Sequence, residues 1–271
     1  MKAGFFLSII ASLVLLAACS QFAPDKPKTA ISKPTIHLTL LPQDVLTVGK
    51  PTTVLAKLNN IQERRIITND DLETVHTQPF HLLVVDPTMT DYQHIHPEPT
   101  ATPGIYSFIF TPHMAGGYRA WADVTPKATG RQEFAMADLG KPIGGGVDKT
   151  ERHEATVGGY HFVLSFDKPP VKDDESMGTI RIANEKGNPV TSLEPVMGAF
   201  GHIVGFYDDF RMVVHTHPMG AEPKNPSDRG GPELMFHLAP TKTGFIKLFA
   251  QVKINGKELF VPFGVNVAAA K

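Results

Sequence analysis

Histidine is the residue type on which chemistry could be built in this chain. The sequence holds 12 His, against 9 Met and 1 Cys, among 271 residues. A neutral imidazole nitrogen is a good ligand for late transition metals such as copper and zinc. If the chain binds a metal ion, imidazole is therefore its expected ligand.

Six of the histidines fall into two copies of one spacing, H-x12-H-x-H-P. The copies are His81, His94, His96 and Pro97, and His202, His215, His217 and Pro218, at a constant offset of 121 residues. Four identities at a fixed spacing indicate an internal duplication of the chain.

Each copy has the pattern of two short strands joined by a turn. A symmetric hairpin places the centre of the first turn between Thr88 and Met89, so that His81 faces His96. Side chains alternate along a strand, so His94 lies on the same face as His96. Opposed Cβ atoms lie about 4.5–5.5 Å apart, which is within reach of one ion at about 2.0 Å from each nitrogen. The first hairpin is thus predicted to form a metal-binding triad.

The second copy gives the same arrangement about a centre between Asp209 and Phe210. His202 then faces His217, with His215 on the same face. The sequence therefore predicts two triads, one in each copy, with copper as the favoured metal and zinc second. Such sites would lose metal below about pH 6, because the ligands must be neutral.

Two alternatives remain open at this point. The histidines could be structural, hydrogen-bonded to backbone groups in a non-catalytic module that docks a partner in the cell envelope. A His-ligated metal could also serve an enzyme, but the sequence lacks G-x-S-x-G, H-E-x-x-H and Walker-type motifs. The sequence therefore favours a binding protein and predicts no catalytic residues.

Other residues near the pattern are weaker candidates. Thioether sulfur would favour Cu(I), although Met is most often core filler. The methionines concerned are Met114, Met197, Met212 and Met219.

Four histidines have no counterpart in the other copy, and a surface or packing role is expected for them. They are His76, His113, His153 and His237. His37 and His161 do correspond, at the start of a first strand, and a packing or edge role is expected for them too.

The duplication extends beyond the histidines. Residues 106–112 match residues 234–240, and residues 116–124 match residues 244–252, at an offset of 128. Short alternating runs recur between turn residues, and long stretches with a helical period are absent. The fold class is therefore predicted to be all-β, with two tandem β-sandwiches of immunoglobulin-like or cupredoxin-like type.

The first residues have the composition of a secretion signal. Phe5 to Ala18 is apolar or small and uncharged, which is shorter than the ~20 residues that span a bilayer. It ends in Leu16-Ala17-Ala18-Cys19, which resembles the cleavage and lipidation signal of bacterial lipoproteins. The resemblance implies acylation of Cys19 as a membrane anchor. Ser20 follows where inner-membrane lipoproteins often carry Asp, so the outer membrane is the expected destination.

These patterns divide the chain into five segments. They are a signal peptide (1–18), the acylated Cys with a tether (19–34), a first sandwich (35–140), a Gly-rich linker (141–154) and a second sandwich (155–268). Lys and Arg number 26 against 27 Asp and Glu, which gives no basic footprint for a nucleic acid. The expected partners are the membrane, through the lipid anchor, and an envelope protein.

The first copy also resembles small secreted β-sandwich modules grouped with heavy-metal-associated, copper-linked or YtkA-like envelope proteins. The residues that carry the resemblance are His81, His94, His96, Pro97, Phe108, Phe110, Pro112, Ala115, Gly116, Tyr118, Arg119, Trp121, Ala122 and Val124. The second copy departs from the later part, with Thr243, Lys247 and Phe249 in place of Ala, Arg and Trp. The resemblance implies a metal-handling context.

Overall fold

The computed structural model describes residues 34–141, 146–216 and 219–270. These residues form 18 β-strands in four antiparallel sheets, two sheets to each repeat, and a short 3₁₀ turn at Asn69–Asp71. The predicted signal peptide, Cys19, residues 142–145 of the predicted linker, His217 and Pro218 lie outside the described residues. In the part of the chain described, no helix is long and apolar enough to cross a membrane.

The first sheet of the first repeat covers one side of its core. Its strands are β1 (Ile36–Pro42), β2 (Thr52–Asn60), β3 (Arg65–Ile66), β6 (Glu98–Pro99) and β7 (Ile105–Phe110). The order is β1-β2-β7-β6, with β3 beside β2. Val54, Ala56 and Leu58 alternate with more exposed residues along β2 and are fully buried, which is the pattern of a strand with one face on a core.

The second sheet of the first repeat carries the histidine hairpin. Its strands are β4 (His81–Val85), β5 (Tyr92–Ile95), β8 (Tyr118–Val124) and β9 (Glu133–Leu139), in the order β5-β4-β8-β9. Every residue of β4 is buried. Leu82 and Val84 pack into the core of the first sandwich, whereas Leu83 and Val85 pack into a cluster shared with the second repeat. The hairpin is therefore held on both faces.

The second repeat repeats this arrangement. One sheet has the order β10 (Glu154–Val157), β11 (Tyr160–Phe166), β12 (Ser176–Asn184), β16 (Glu233–Leu238). The other holds β13 (Leu193–Glu194), β14 (His202–Tyr207), β15 (Val213–Thr216), β17 (Gly244–Ile254) and β18 (Lys257–Val267). In it β14 lies between β15 and β17, and β18 pairs with the other edge of β17. This matches β5-β4-β8-β9, so the predicted pair of tandem β-sandwiches is confirmed.

The hairpin registers agree with those deduced from the sequence. Leu83 is paired with His94 between β4 and β5, and Val204 with His215 between β14 and β15. Both pairs are symmetric about the predicted turn centres. A slip of one residue would have turned the imidazoles to the opposite faces.

The two repeats pack through an apolar cluster to which both contribute. Its buried members are Leu83, Val85, Met89, Tyr92 and Trp121 from the first repeat, and Val204, Phe206 and Phe249 from the second. Positions related by the duplication, such as Leu83 with Val204 and Trp121 with Phe249, occur together, so the interface is approximately two-fold symmetric. Trp121 thus packs in the interface between the sandwiches rather than in the core of the first one.

Candidate metal centre

The three histidines of the first hairpin converge on one point. Nδ1 of His81 lies 3.0 Å from Nε2 of His94 and 3.1 Å from Nε2 of His96. One ring nitrogen from each residue lies within 4.8 Å of the others. In a tetrahedral site with bonds of about 2.0–2.1 Å, ligand nitrogens lie about 3.3 Å apart. His81, His94 and His96 could therefore hold a metal ion.

The far nitrogens of two of these rings are bound to groups that accept hydrogen bonds. Nε2 of His81 donates to the carbonyl oxygen of Val75 at 2.8 Å, and Nδ1 of His94 donates to Oε1 of Gln251 at 3.0 Å. The amide of Gln251 is oriented by Glu258, whose carboxylate accepts from Nε2 of Gln251 at 2.8 Å. Because both acceptors are oxygens without a proton, the far nitrogen of each ring must carry the proton.

The neutral rings consequently turn lone pairs toward each other. In these tautomers Nδ1 of His81 and Nε2 of His94 are both acceptors, and at 3.0 Å neither can donate to the other. Nε2 of His96 also lies 3.1 Å from Nδ1 of His81 and can donate to it when it carries the proton. A cation between Nδ1 of His81 and Nε2 of His94, either a proton or a metal ion, would stabilise the contact between these two nitrogens.

Burial disfavours the proton. It is the largest cause of a lowered pKa at all three rings, and it lowers the pKa of His96 to about 4, with repulsion from His81 in support. The pKa of His94 lies well below its ordinary value through burial and repulsion from His215 and His81. Burial also lowers the pKa of His81, which its bond to Val75 opposes. At neutral pH the rings are therefore in the neutral form that a metal requires.

The second hairpin has the same orientation of its rings. Nε2 of His202 donates to the carbonyl oxygen of Val196 at 3.1 Å, as His81 does to Val75, and Nδ1 of His215 donates to Oδ2 of Asp123 at 2.5 Å. His202 is fully buried, and burial, with repulsion from His215, lowers its pKa to about 3. His217, the third predicted ligand, lies outside the described residues, so this triad stays a prediction.

The sequence prediction did not include the residues that orient the rings. Asp123 in β8 and Gln251 in β17 are buried, and each bonds a histidine of the other repeat. They occupy equivalent positions, 128 residues apart, in the segments Trp121–Val124 and Phe249–Val252. A polar residue at the same place in two otherwise apolar four-residue segments is the signal that could have identified them.

His76 also belongs to the site, although the sequence assigned it a surface or packing role. Its ring centroid lies 5.6 Å from that of His202 and 6.4 Å from that of His215. It occupies a tight turn at φ +49°, and its counterpart in the second repeat, Met197, has φ +48°. Burial, with repulsion from His215 and His81, lowers the pKa of His76.

The remaining histidines and methionines lie elsewhere. His37 and His161 are exposed, and His113 bonds the carboxylate of Asp91 at 2.9 Å. His153 and His237 pair with Glu151 and Glu175. Met114 and Met219 are exposed, and Met212 packs against the core of the second sandwich.

The two hairpins form one cluster rather than two separate patches. The ring centroid of His94 lies 5.8 Å from that of His215 and 6.1 Å from that of His202, and the centroids of His81 and His215 are 6.1 Å apart. These separations across the repeats are close to those within one hairpin, where His81 and His94 are 5.2 Å apart. Six imidazoles, those of His76, His81, His94, His96, His202 and His215, are therefore contiguous.

The model of one protein family matches the chain twice. This is a domain of unknown function, DUF8832, which matches residues 33–137 and 155–269. The chain belongs to the DUF8832 family. Each match covers one β-sandwich, so one DUF8832 domain corresponds to one repeat and carries one histidine hairpin. No curated protein matches the chain.

Several solved structures resemble this pair of DUF8832 domains at low identity. An elastase-activated α2-macroglobulin from Escherichia coli is 14% identical over 87% of the chain, with a TM-score of 0.25. A β-glycosidase from Bacteroides vulgatus is 14% identical over 84%, and domains 4 and 5 of the S-layer protein SbsC are 14% identical over 86%, both with TM-scores of 0.22. The DUF8832 pair spans 20% of the α2-macroglobulin chain, 25% of the glycosidase chain and 98% of the SbsC chain.

Proposed function

We propose that this protein is a lipid-anchored metal-binding protein of the cell envelope, which sequesters or delivers copper, with zinc as the second choice. His81, His94 and His96 are one ligand set, and His202, His215 and His217 the other. Acylated Cys19 ties the protein to the outer membrane, and the protein is a carrier rather than an enzyme.

The pair of facing lone pairs is the observation that carries this proposal. A structural histidine satisfies both ring nitrogens with donors and acceptors of the surrounding protein. In the first hairpin the far nitrogens of His81 and His94 are satisfied in this way, whereas Nδ1 and Nε2 face each other at 3.0 Å. Burial lowers the pKa of both rings, so protons compete only weakly with a metal ion for these nitrogens at neutral pH.

The ligand chemistry supports copper or zinc. Three imidazole nitrogens without an anionic oxygen among them suit Cu and Zn, whereas Mg and Ca prefer oxygen ligands. Three protein ligands also leave a coordination position open, through which a carrier could pass its ion to a partner. The resemblance to copper-linked envelope modules favours copper.

The competing function is a non-catalytic envelope module that docks a partner. The bond from His81 to Val75 and its equivalent from His202 to Val196 favour it, because both look like inherited packing contacts. In such a module a shared proton would occupy the cluster and metal affinity would be weak.

Metal titration of the purified full-length chain separates these functions. Binding of Zn(II) and Cu(II) is measured for the wild type, for His96→Ala and for the control His37→Ala, which removes an exposed histidine. His96 is chosen because it is only half-buried, so its removal leaves the fold intact. We expect the affinity of one ion to fall by at least about 100-fold in His96→Ala, the upper end of what the loss of an outer-shell partner costs. Equal, weak uptake by all three proteins would overturn the proposal.

A further inference from the structure

We infer that Glu258 of the second repeat is a positioning residue for the metal site of the first repeat. Through the amide of Gln251 it fixes the tautomer of His94 and so decides whether that ring can bind a metal ion. The inference rests on the proposed function, because it takes His81, His94 and His96 to be the ligands of one ion.

Two hydrogen bonds in sequence join the carboxylate of Glu258 to the ring of His94. Nε2 of Gln251 donates to Oε2 of Glu258 at 2.8 Å, and Oε1 of Gln251 accepts from Nδ1 of His94 at 3.0 Å. An ionised carboxylate can only accept, so it holds the NH2 group of the amide on its own side and the amide oxygen toward the ring. Nδ1 of His94 therefore carries the proton, and Nε2 is left as the ligand atom.

The amide of Gln251 is a link that can be reversed. A half-turn of the amide would present its NH2 group to Nδ1 of His94, which would then accept, and the proton of the ring would move to Nε2. A proton on Nε2 occupies the lone pair that a metal ion needs. The bond from His81 to the carbonyl oxygen of Val75 has no such alternative, because a backbone carbonyl cannot donate.

The first repeat contains the same pair of groups with their places exchanged. Glu258 lies two residues before the cross-strand partner of Gln251, and Gln132 lies two residues before the cross-strand partner of Asp123. Nε2 of Gln132 donates to the carboxylate oxygens of Asp123 at 2.8 and 3.0 Å, and that carboxylate accepts from Nδ1 of His215. Both copies thus place an acceptor at Nδ1 of a histidine, but only in the second copy does the acceptor need a carboxylate behind it to stay in that orientation.

This arrangement connects the surface of the second repeat to the site in the first. Glu258 is exposed, whereas Gln251 is 3% exposed, so the orientation of the amide depends on its protein partners. Outer-shell partners that fix the tautomer of a metal ligand typically change metal affinity by about 10- to 100-fold. The affinity of the first site is therefore set in part by an exposed residue that touches none of its ligands.

The test measures the tautomer of His94 and the affinity for Zn(II) in the full-length chain. Ring ¹⁵N chemical shifts of the metal-free protein distinguish a protonated from an unprotonated nitrogen. Competition with a chelator gives the affinity, and the ring signals of His96 report occupancy of this site. The wild type is compared with Glu258→Lys, with the exchanged variant Gln251→Glu/Glu258→Gln, and with the control Glu185→Lys, which makes the same charge change at an exposed position.

Lysine can only donate, so it should draw the amide oxygen of Gln251 toward itself and turn the NH2 group toward the ring. In Glu258→Lys we expect the proton of His94 to move from Nδ1 to Nε2 and the Zn(II) affinity to fall by about 10- to 100-fold. The exchanged variant keeps the net charge and puts a carboxylate directly at Nδ1, so it should keep the tautomer of the wild type and bind Zn(II) at least as tightly. Glu185→Lys should match the wild type in both measurements.

The outcomes separate the inference from the proposed function. An unchanged tautomer or an unchanged affinity in Glu258→Lys would overturn the inference and leave the proposed function standing. Equal losses of affinity in Glu258→Lys and Glu185→Lys, or a folded exchanged variant that binds as weakly as Glu258→Lys, would also overturn it. If the exchanged variant does not fold, the tautomer and affinity of Glu258→Lys still decide. A wild-type chain that takes up no Zn(II) on these rings would overturn both.

Discussion

At the scale of single residues, the site is defined by which ring nitrogen carries the proton. The carbonyl oxygen of Val75 and the amide oxygen of Gln251 draw the protons of His81 and His94 to the far side of each ring. The near nitrogens are therefore unprotonated, and because they are buried, the charged imidazolium form is costly. Such a site excludes protons better than an exposed histidine does and is correspondingly ready for a metal.

This environment predicts how stability depends on pH in the metal-free protein. The unfolded chain takes up protons on histidine near pH 6.5, whereas His96 and His202 in the folded chain do so only at a pKa of about 4 and about 3. A lowered folded-state pKa means that the stabilisation is complete above pH 6.5 and is lost as the pH falls toward 4. Thermal unfolding in the presence of a chelator should show a midpoint that falls between pH 6.5 and 5, above the usual range of carboxyl groups.

The His96→Ala variant is the comparison for this pH dependence. It removes one of the titrating groups, so its midpoint should fall less steeply over the same interval, while His37→Ala should follow the wild type. A midpoint that stays constant from pH 7 to 5 in the wild type would contradict the account. The same burial shifts metal release to a lower pH than the value of about 6 that the sequence suggested.

At the scale of structural elements, the hairpin could be predicted and its surroundings could not. The symmetric spacing about Thr88 and Met89 fixes the register of β4 and β5, because turn length and face alternation leave one pairing. Gln251 and Asp123 each bond a histidine of the other repeat, and His76 reaches the rings from a separate turn. The matched polar positions in the two copies could mark Asp123 and Gln251 as unusual, but no local periodicity in the sequence links them or His76 to the hairpin, so the rings that they contact are known only from the fold.

The first hairpin turn depends on one buried carboxylate. Asp86 is 1% exposed and accepts the backbone N–H groups of Thr88, Thr90 and Asp91 at 2.7–2.8 Å. Asp86→Ala leaves these donors without a protein acceptor, which should cost about 1–3 kcal/mol. Because the turn fixes the hairpin register, metal affinity of the first site should fall as well.

Denaturant unfolding and Zn(II) titration measure these two effects. Asp44→Ala, which removes an exposed carboxylate, should leave both quantities unchanged, and Asp86→Asn should fall between the wild type and Asp86→Ala because it keeps an acceptor oxygen. If Asp86→Ala were as stable as the control, the hydrogen bonds to the carboxylate of Asp86 would not be what stabilises the hairpin turn.

At the scale of the whole molecule, equivalent positions of the two repeats meet in the interface between them, about an approximate two-fold axis. Val85 and Phe206, and Trp121 and Phe249, share one apolar cluster, and Arg119 of the first repeat donates to the carbonyl oxygen of Phe210 in the second at 3.1 Å. The sequence predicted the duplication. Docking of the two copies depends on shape complementarity between the sheets, and no motif or periodicity in the sequence encodes that complementarity.

Removal of an interface side chain should therefore weaken both the fold and the metal site. Phe249 is 3% exposed, and Phe249→Ala should cost about 3–5 kcal/mol through lost burial and the cavity it leaves. Since about 1 kcal/mol shifts the midpoint of a chain of 150–250 residues by roughly 2–4 °C, calorimetry should show a clearly lower midpoint. Zn(II) affinity should fall too, because Gln251 follows two residues later in β17. Ile109→Ala, at a side chain that is 61% exposed, is the control. If the metal affinity of Phe249→Ala were unchanged, metal binding would not depend on the interface between the repeats.

The most direct test of the central claim is anomalous diffraction from crystals of the full-length chain grown with Zn(II) or Cu(II). Data collected on both sides of the absorption edge of the metal locate the ion without reference to the protein. We expect a peak about 2.0–2.1 Å from Nδ1 of His81, Nε2 of His94 and Nε2 of His96, the atoms that converge in the first hairpin. Anomalous peaks confined to exposed residues such as His37 and His161, with the three rings in their present positions, would contradict it.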